Sequence, residues 1–168
     1  MVEKGYETTT VQDIIDRANV GRATFYSHFA DKNTLLTSRL DDLRAYLSQQ
    51  QRQASSTGGG RVPALGFSLA MLEHARSHLP LYRSIVGKQS GAFVIQRIHR
   101  LVADLVRKNL ASTGSIKPGE RRELVAEYLA GAFMGLMTWW LESGAKHDPL
   151  EVDEIYQDLT TEGVGRIR

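Results

Sequence analysis

A charge-free run from Tyr128 to Leu141 most constrains how this chain can fold. The apolar spacing around it predicts one long helix from about Glu120 to Glu142. Crossing a bilayer takes roughly 20 apolar residues, and this run is shorter and has a glutamate at each end, so we reject a membrane span. A helix that is apolar all round must be covered on both sides. We therefore expect one side to face the chain's own core and the other a partner subunit.

Two glycines in this run, Gly131 and Gly135, lie four residues apart. They would let a second helix approach closely, although each costs about 1 kcal/mol of helix propensity relative to alanine. The motif Asp148-Pro149-Leu150-Glu151 predicts the start of a last helix, with an aspartate cap and proline at its first position. The residues expected at the interface between two copies are Gly131, Gly135, Trp139, Ile155 and Leu159.

The rest of the chain also has helical periodicity. It has only four prolines in 168 residues, and its apolar residues recur at steps of three and four. A hydrophobic content of 42% excludes a disordered chain, and the lack of cysteine excludes a disulfide framework or a cysteine metal site. The first residues form no apolar signal region, so we expect a cytoplasmic protein. The predicted fold class is all-α.

A polar segment divides the chain. From Gln49 onward the apolar pattern is lost, and the segment ends in three glycines at positions 58–60. Such a composition is typical of a flexible linker. We expect a small domain over residues 1–48 and a larger helical domain over residues 61–168.

The small domain has the proportions of a helix-turn-helix. Val11, Ile14 and Ala18 share one helix face, and Thr10 with Asp13 forms a capping pair at its start. A turn at residues 19–21 leads into a second short helix ending near Phe29, and a third begins at residue 31. In this motif the second helix lies in the major groove of DNA.

The outward side chains of the second helix suit DNA. Arg22 can pair with a guanine edge, and Ala23 and the Thr24 methyl can meet a thymine methyl. Hydroxyls and basic groups nearby suit phosphates, which fix register. The candidate DNA-binding residues are Thr9, Thr10, Arg22, Ala23, Thr24, Tyr26, Ser27, His28 and Lys32. The alternative is an ordinary helical pair in which Tyr26 is half-buried core and Lys32 a solvated charge.

The same segment closely resembles the DNA-binding domain of the TetR family of transcriptional regulators. The resemblance rests on Thr9-Thr10-Val11, Ala18-Asn19-Val20-Gly21, Ala23-Thr24-Phe25-Tyr26-Ser27-His28-Phe29 and Asp31-Lys32. Asn19-Val20-Gly21 replaces the family's usual Gly-Val-Ser, and Ile15-Asp16 replaces the alanine that usually follows Ile14. The family's first helix is represented only by its tail, Glu3-Lys4-Gly5-Tyr6.

Residues 128–144 resemble the penultimate helix of a branch of this family common in Gram-positive bacteria. The resemblance implies a homodimer whose last two helices form a four-helix bundle, with double-stranded DNA as partner. We therefore expect a regulator, most simply a repressor, that binds a near-palindromic operator. An effector is expected to control the spacing of the two DNA-binding heads. The alternative, suggested by the missing first helix, is a dimeric adaptor or co-regulator with a defective DNA-binding head that binds another protein.

Other candidate sites are weaker. Aromatic and methionine side chains of the larger domain could line a pocket for a small apolar effector, or they could simply be core: Met71, Phe93, Phe133, Met137 and Trp140. Tyr82, Arg83 and His99 are candidate polar contacts for that effector. His74 and His78, four apart, lack a third ligand at useful spacing, so no metal or other cofactor is expected. No nucleophile elbow, phosphate loop or carboxylate pair stands out, so we do not expect an enzyme.

Overall fold

The computed structural model describes residues 6–57, 65–85, 91–112, 114 and 116–162. Those residues form eight α-helices and no strand, which confirms the predicted all-α class. The helices are α1 (Val11–Ala18), α2 (Arg22–His28), α3 (Lys32–Thr57), α4 (Phe67–Ser77), α5 (Leu79–Ile85), α6 (Ala92–Ser112), α7 (Glu120–Glu142) and α8 (Pro149–Thr161).

The head consists of α1, α2 and the start of α3. The predicted capping pair is present, since Thr10 Oγ1 accepts from the Asp13 amide at 3.1 Å and Asp13 Oδ2 accepts from the Thr10 amide at 2.8 Å. Asn19 ends α1 in the left-handed conformation, with φ 51° and ψ 46°, which asparagine tolerates better than most residues. Gly21 caps α2 without a side-chain hydrogen bond. These local features make the sharp turn between the two helices.

Helix α3 is longer than the sequence pattern predicts: it continues through the polar segment to Thr57. Glutamine is a good helix former. Leu47, just before the segment, is fully buried, and within it Gln51 is buried, with its Oε1 accepting from the Phe67 amide at 3.3 Å. The expected boundary at residue 48 thus falls inside a helix that runs from the head into the larger domain. The linker glycines at 58–60 lie outside the described residues.

The core of the larger domain lies among α3, α4, α6, α7 and α8. Phe133 of α7 contacts Phe67 of α4 and Tyr156 of α8 edge-on, with ring centroids 5.4 Å and 5.2 Å apart. The Tyr156 hydroxyl donates to the Leu129 carbonyl at 3.0 Å, and Trp140 Nε1 donates to the His147 carbonyl at 3.0 Å. The buried polar groups of the two largest core side chains are therefore satisfied.

Helix α7 has two different sides. Met137 and Trp140 are fully buried in the core, whereas Leu124, Tyr128 and Trp139 are exposed by 54% or more. By length and composition α7 could cross a membrane, but 44% of its most apolar window is buried inside the fold. The buried side confirms that α7 is a core helix, and its other side needs a different explanation.

Candidate functional site

Helix α2 presents a polar face that makes little contact with the rest of the chain. Its one buried residue is Phe25, at 5% exposure, which packs beside Phe29 with ring centroids 5.7 Å apart. The outward residues predicted to contact DNA are all exposed: Arg22, Ala23, Thr24, Tyr26, Ser27 and His28. A short helix held by one aromatic anchor thus offers its remaining surface to a partner.

Contacts within this face orient some of its side chains. The Arg22 guanidinium lies 5.6 Å from the centroid of the Tyr26 ring, one helical turn further on, which is within the range of a cation–π interaction. Ser27 Oγ donates to the Thr24 carbonyl at 2.7 Å, so its lone pairs remain available as acceptors. Tyr26 is 45% exposed, unlike the half-buried core residue of the alternative reading.

The two threonines before α1 differ from one another. Thr10 is exposed, and its hydroxyl caps the start of α1. Thr9 is only 2% exposed, which places its side chain inside the head. This placement gives no support to its predicted DNA contact.

Lys32 also differs from its predicted role as a phosphate contact. Its Nζ donates to the carbonyls of Tyr6, Glu7 and Thr9 at 3.0, 2.9 and 3.0 Å. An ammonium has three donors, so all three are engaged within the chain. The same nitrogen lies 4.8 Å from the centroid of the Tyr6 ring. Lys32 thus fastens the segment before α1 to the start of α3.

Tyr6 joins the head to the larger domain. Its buried ring stacks on Phe93 of α6, with centroids 5.9 Å apart and planes 14° apart, and its hydroxyl donates to Asn33 Oδ1. Burial raises the pKa of the Tyr6 hydroxyl. Arg97 covers the Phe93 ring at 4.7 Å and donates to Thr37 Oγ1 at 2.6 Å. Phe93, predicted as a pocket residue, therefore lies at the contact between the two parts.

The other residues predicted to line an effector pocket are fully buried core: Met71, Phe133, Met137 and Trp140. None of them, nor Phe93, lines the cavity between α3 and helices α4 to α6 that is described below. These side chains instead fill the space among α4, α7 and α8, as tightly packed interiors require. The structure thus places these four in the core, and their part in effector binding stays a prediction.

A cavity of about 470 Å³ lies elsewhere, between α3 on one side and α4, α5 and α6 on the other. Its lining combines aliphatic side chains with polar ones: Leu36, Arg39, Leu40, Asp42, Leu43, Tyr46, His74, His78, Leu81, Tyr82, Val94 and Ile98. Its size falls within the range of small-molecule sites.

The polar groups of this cavity centre on His74. Its Nδ1 lies 3.0 Å from the Tyr82 hydroxyl, and its ring stacks on that of His78 with centroids 4.4 Å apart. Burial, and secondarily the neighbouring His78, lowers the pKa of His74. The described residues contain no group of three potential metal ligands. Sequence reasoning paired the two histidines and noted Tyr82 separately, but it did not connect them with the leucines of α3.

The side chains predicted at a subunit interface lie on the exposed side of α7 and on α8. Gly131, Gly135, Trp139 and Ile155 are exposed, and Leu159 is half-buried. A Cβ atom built on either glycine meets no atom within 4 Å. Leu124 and Tyr128 extend the same stripe of α7 at helical spacing, which sequence reasoning did not include. The stripe thus leaves open space above its two glycines.

Comparison with known proteins assigns both parts of the chain. Residues 1–38 match the family of bacterial regulatory proteins called the tetR family. Residues 65–162 match the family described as the C-terminal region of transcriptional regulators.

Individual relatives agree with both matches. The uncharacterized HTH-type transcriptional regulator YxbF of Bacillus subtilis is 25% identical over 88% of this chain, which spans only 37% of YxbF. The HTH-type transcriptional repressor KstR2 of Mycolicibacterium smegmatis is 23% identical over 98% of this chain and 83% of its own length. The fold is shared with the transcriptional regulator FadR of B. subtilis, solved in complex with stearoyl-CoA. That likeness has a TM-score of 0.67 at 16% identity and covers 97% of this chain and 92% of FadR.

The helix-turn-helix head, the helical body behind it and the two family matches lead to one assignment. This chain belongs to the TetR family of DNA-binding transcriptional regulators.

Proposed function

We propose that the chain is a homodimeric repressor that reads a near-palindromic operator with its two α2 helices. The observation that carries the proposal is the α2 face itself, exposed and polar around the single buried anchor Phe25. A recognition helix needs this arrangement, because one side must hold it on the head while the other enters the major groove.

The exposed residues divide by chemistry. Arg22 is proposed to read a guanine edge, with the Tyr26 ring limiting its rotamers. Ala23 and the Thr24 methyl are proposed to contact thymine methyls. Thr10, Tyr26, Ser27 and His28 are proposed to contact phosphates or adjacent edges. Lys32 supports the head from within through its three carbonyl contacts.

Dimerisation is proposed to occur through the stripe on α7 and the adjoining part of α8. Scattered apolar residues are normal on a surface, but a continuous apolar stripe is typical of an interaction site. Gly131 and Gly135 leave room for a second helix, and Leu124, Tyr128 and Trp139 flank them. A two-fold dimer through this stripe would present two heads to two half-sites, which in helix-turn-helix dimers are about 34–36 Å apart.

Regulation is proposed to run through α3. We retain the division into a DNA-binding unit over residues 1–48 and a ligand-binding and dimerisation unit over residues 61–168, joined by this helix. The relative KstR2, a repressor, supports the repressor assignment. The structure of FadR in complex with stearoyl-CoA supports the existence of an effector. An effector regulates only if it binds more tightly to one head spacing than to the other. The proposed setting is the cytoplasm.

The proposal is tested by selecting binding sites from a random pool of double-stranded DNA with the purified chain. We expect enrichment of a near-palindrome with half-sites one helical turn apart. Arg22→Ala should relax the preference at one base pair in each half-site and cost about 1–3 kcal/mol. Arg100→Ala, on the exposed side of α6, is the matched control and should leave the selected sequence unchanged. Absence of an enriched sequence, or an unchanged motif with Arg22→Ala, would refute the assigned face.

A further inference from the structure

The 470 Å³ cavity has a lining that is mainly aliphatic. Six of its residues are leucine, isoleucine or valine, contributed by α3, α5 and α6: Leu36, Leu40, Leu43, Leu81, Val94 and Ile98. Such a lining favours a ligand whose surface is mostly apolar, since its transfer from water is worth about 25 cal/mol per Å² of surface removed from solvent.

Arg39 and Asp42, the arginine and the aspartate of the described lining, form an ion pair with each other. Arg39 and Asp42 pair at 3.1 Å on the outer surface of α3, with side chains 68% and 66% exposed. In the adjoining surface depression, which His74 and His78 also line, Arg76 pairs with Asp148 at 3.0 Å. The carboxylate of Glu73 lies in the same depression. A buried anion would therefore meet no unpaired arginine among these residues.

The inner polar group of the cavity is uncharged. Tyr82 is 4% exposed, and its hydroxyl lies 3.0 Å from His74 Nδ1. Burial raises the pKa of Tyr82 and lowers that of His74, so both stay neutral near pH 7 to 8. His78 Nδ1 donates to the His74 carbonyl at 3.0 Å, which holds the second ring against the first. The same hydroxyl contacts Met71 Sδ at 3.9 Å, and with one donor and two acceptor positions it keeps capacity for one more hydrogen bond.

From this combination we propose that the cavity binds an uncharged, mainly apolar molecule with a single hydroxyl or carbonyl group, hydrogen-bonded to the Tyr82–His74 pair. A carboxylate would lose its hydration without gaining a full countercharge, and that cost is large in an apolar site. A hydroxyl loses far less and regains a hydrogen bond. The site therefore selects by the charge of the ligand.

The position of the cavity connects this ligand to the head. Leu36, Arg39 and Leu81 line it and also line a second cavity of about 250 Å³. That smaller cavity is lined on its other side by Tyr6, Ile14 and Lys32 of the head. A ligand that displaces α3 in the larger cavity would therefore move the helix that carries the head. This inference rests on the proposed effector control and specifies the effector's chemical class.

The test compares 1-octanol with octanoate, which share a chain and differ in charge. Binding to the DNA-free protein is measured at pH 8 by titration with detection of tyrosine side-chain resonances. We expect 1-octanol to bind at least tenfold more tightly than octanoate, with the Tyr82 resonance shifted. Tyr82→Phe should weaken 1-octanol two- to tenfold, and Ile98→Phe, which narrows the cavity, should weaken it further. Tyr156→Phe is the matched control, because it removes a buried hydroxyl outside the cavity.

Several results would overturn the ligand class. Octanoate binding as tightly as 1-octanol, no binding of 1-octanol up to its solubility, or binding that neither cavity variant alters would each do so. Operator release by 1-octanol is measured separately. If 1-octanol binds with the expected selectivity but leaves operator affinity unchanged, the ligand class stands and the proposed effector control is refuted.

Discussion

Individual side chains decide whether the head is held together or reaches DNA, and Lys32 is the sharpest case. Its predicted phosphate contact is typical for a lysine near a recognition helix. Its three carbonyl partners at 2.9–3.0 Å come from residues distant in sequence. No local pattern reveals such long-range contacts. The outward positions on α2, by contrast, follow from helical periodicity around Phe25, so the sequence was sufficient to predict which of its side chains are exposed.

Replacing Lys32 by methionine should therefore lower the stability of the head. Loss of the ammonium leaves the three carbonyls without their donor, and we expect a cost of about 1–3 kcal/mol in unfolding free energy, measured by denaturant titration. Lys108→Met, at an exposed position on α6, is the control and should change stability little. If stability did not change and the salt dependence of DNA binding fell by the equivalent of one phosphate contact, Lys32 would be a phosphate contact after all.

His74 should make stability depend on pH. Its pKa is lowered in the folded chain by burial, with a smaller contribution from His78. As pH falls through the ordinary histidine range, the unfolded chain takes up a proton that the folded chain resists, so stability declines on acidification. His74→Gln should flatten the pH dependence of the unfolding free energy between pH 8 and pH 5. His28→Gln, on the exposed α2 face, is the control. A pH profile identical to that of the unaltered protein would argue against a half-buried His74 with a lowered pKa.

At the scale of helices, periodicity and capping residues predicted most boundaries. The starts at Thr10 and Asp148 and the left-handed Asn19 agree with the structure. The end of α3 differs from the prediction. Gln51 in this part of the helix accepts a hydrogen bond from the amide of Phe67, which follows the linker in sequence. The residues predicted to line a pocket lie in the core, which the sequence pattern could not show. Aromatic and methionine residues at helical spacing look the same whether they line a cavity or fill a core, and only packing among α4, α7 and α8 distinguishes the two.

The exposed glycines of α7 permit a test that separates assembly from folding. A side chain at Gly135 meets no atom of its own subunit within 4 Å, and replacing glycine in a helix gains up to about 1 kcal/mol of propensity. Gly135→Leu should thus leave the subunit folded, by circular dichroism and thermal unfolding, while converting dimers to monomers in sedimentation. Lys108→Leu, at an exposed position on α6 outside the stripe, controls for added hydrophobicity. A dimer that persists in Gly135→Leu would place the interface elsewhere.

At the scale of the whole molecule, two kinds of contact join the head to the body. One is the stacking of Tyr6 on Phe93, and the other is the continuous α3 helix, further tied to α6 by Arg44 and Asp104. The position of the head is therefore linked to the cavity wall and to the helices that carry the proposed interface. Sequence predicted that a head and a body exist, but the rings that join them lie 87 positions apart and became evident only in three dimensions.

The central claim is that two heads, held by one dimer, bind DNA together. The most direct test takes the operator obtained by selection and inserts about 5 bp between its half-sites, which rotates one half-site by roughly half a helical turn. Affinity is measured at fixed salt, with an insertion of a full turn outside the half-sites as control. The account predicts at least a tenfold loss of affinity for the inserted operator alone. An affinity that does not change would contradict it, because it would mean that each head binds independently.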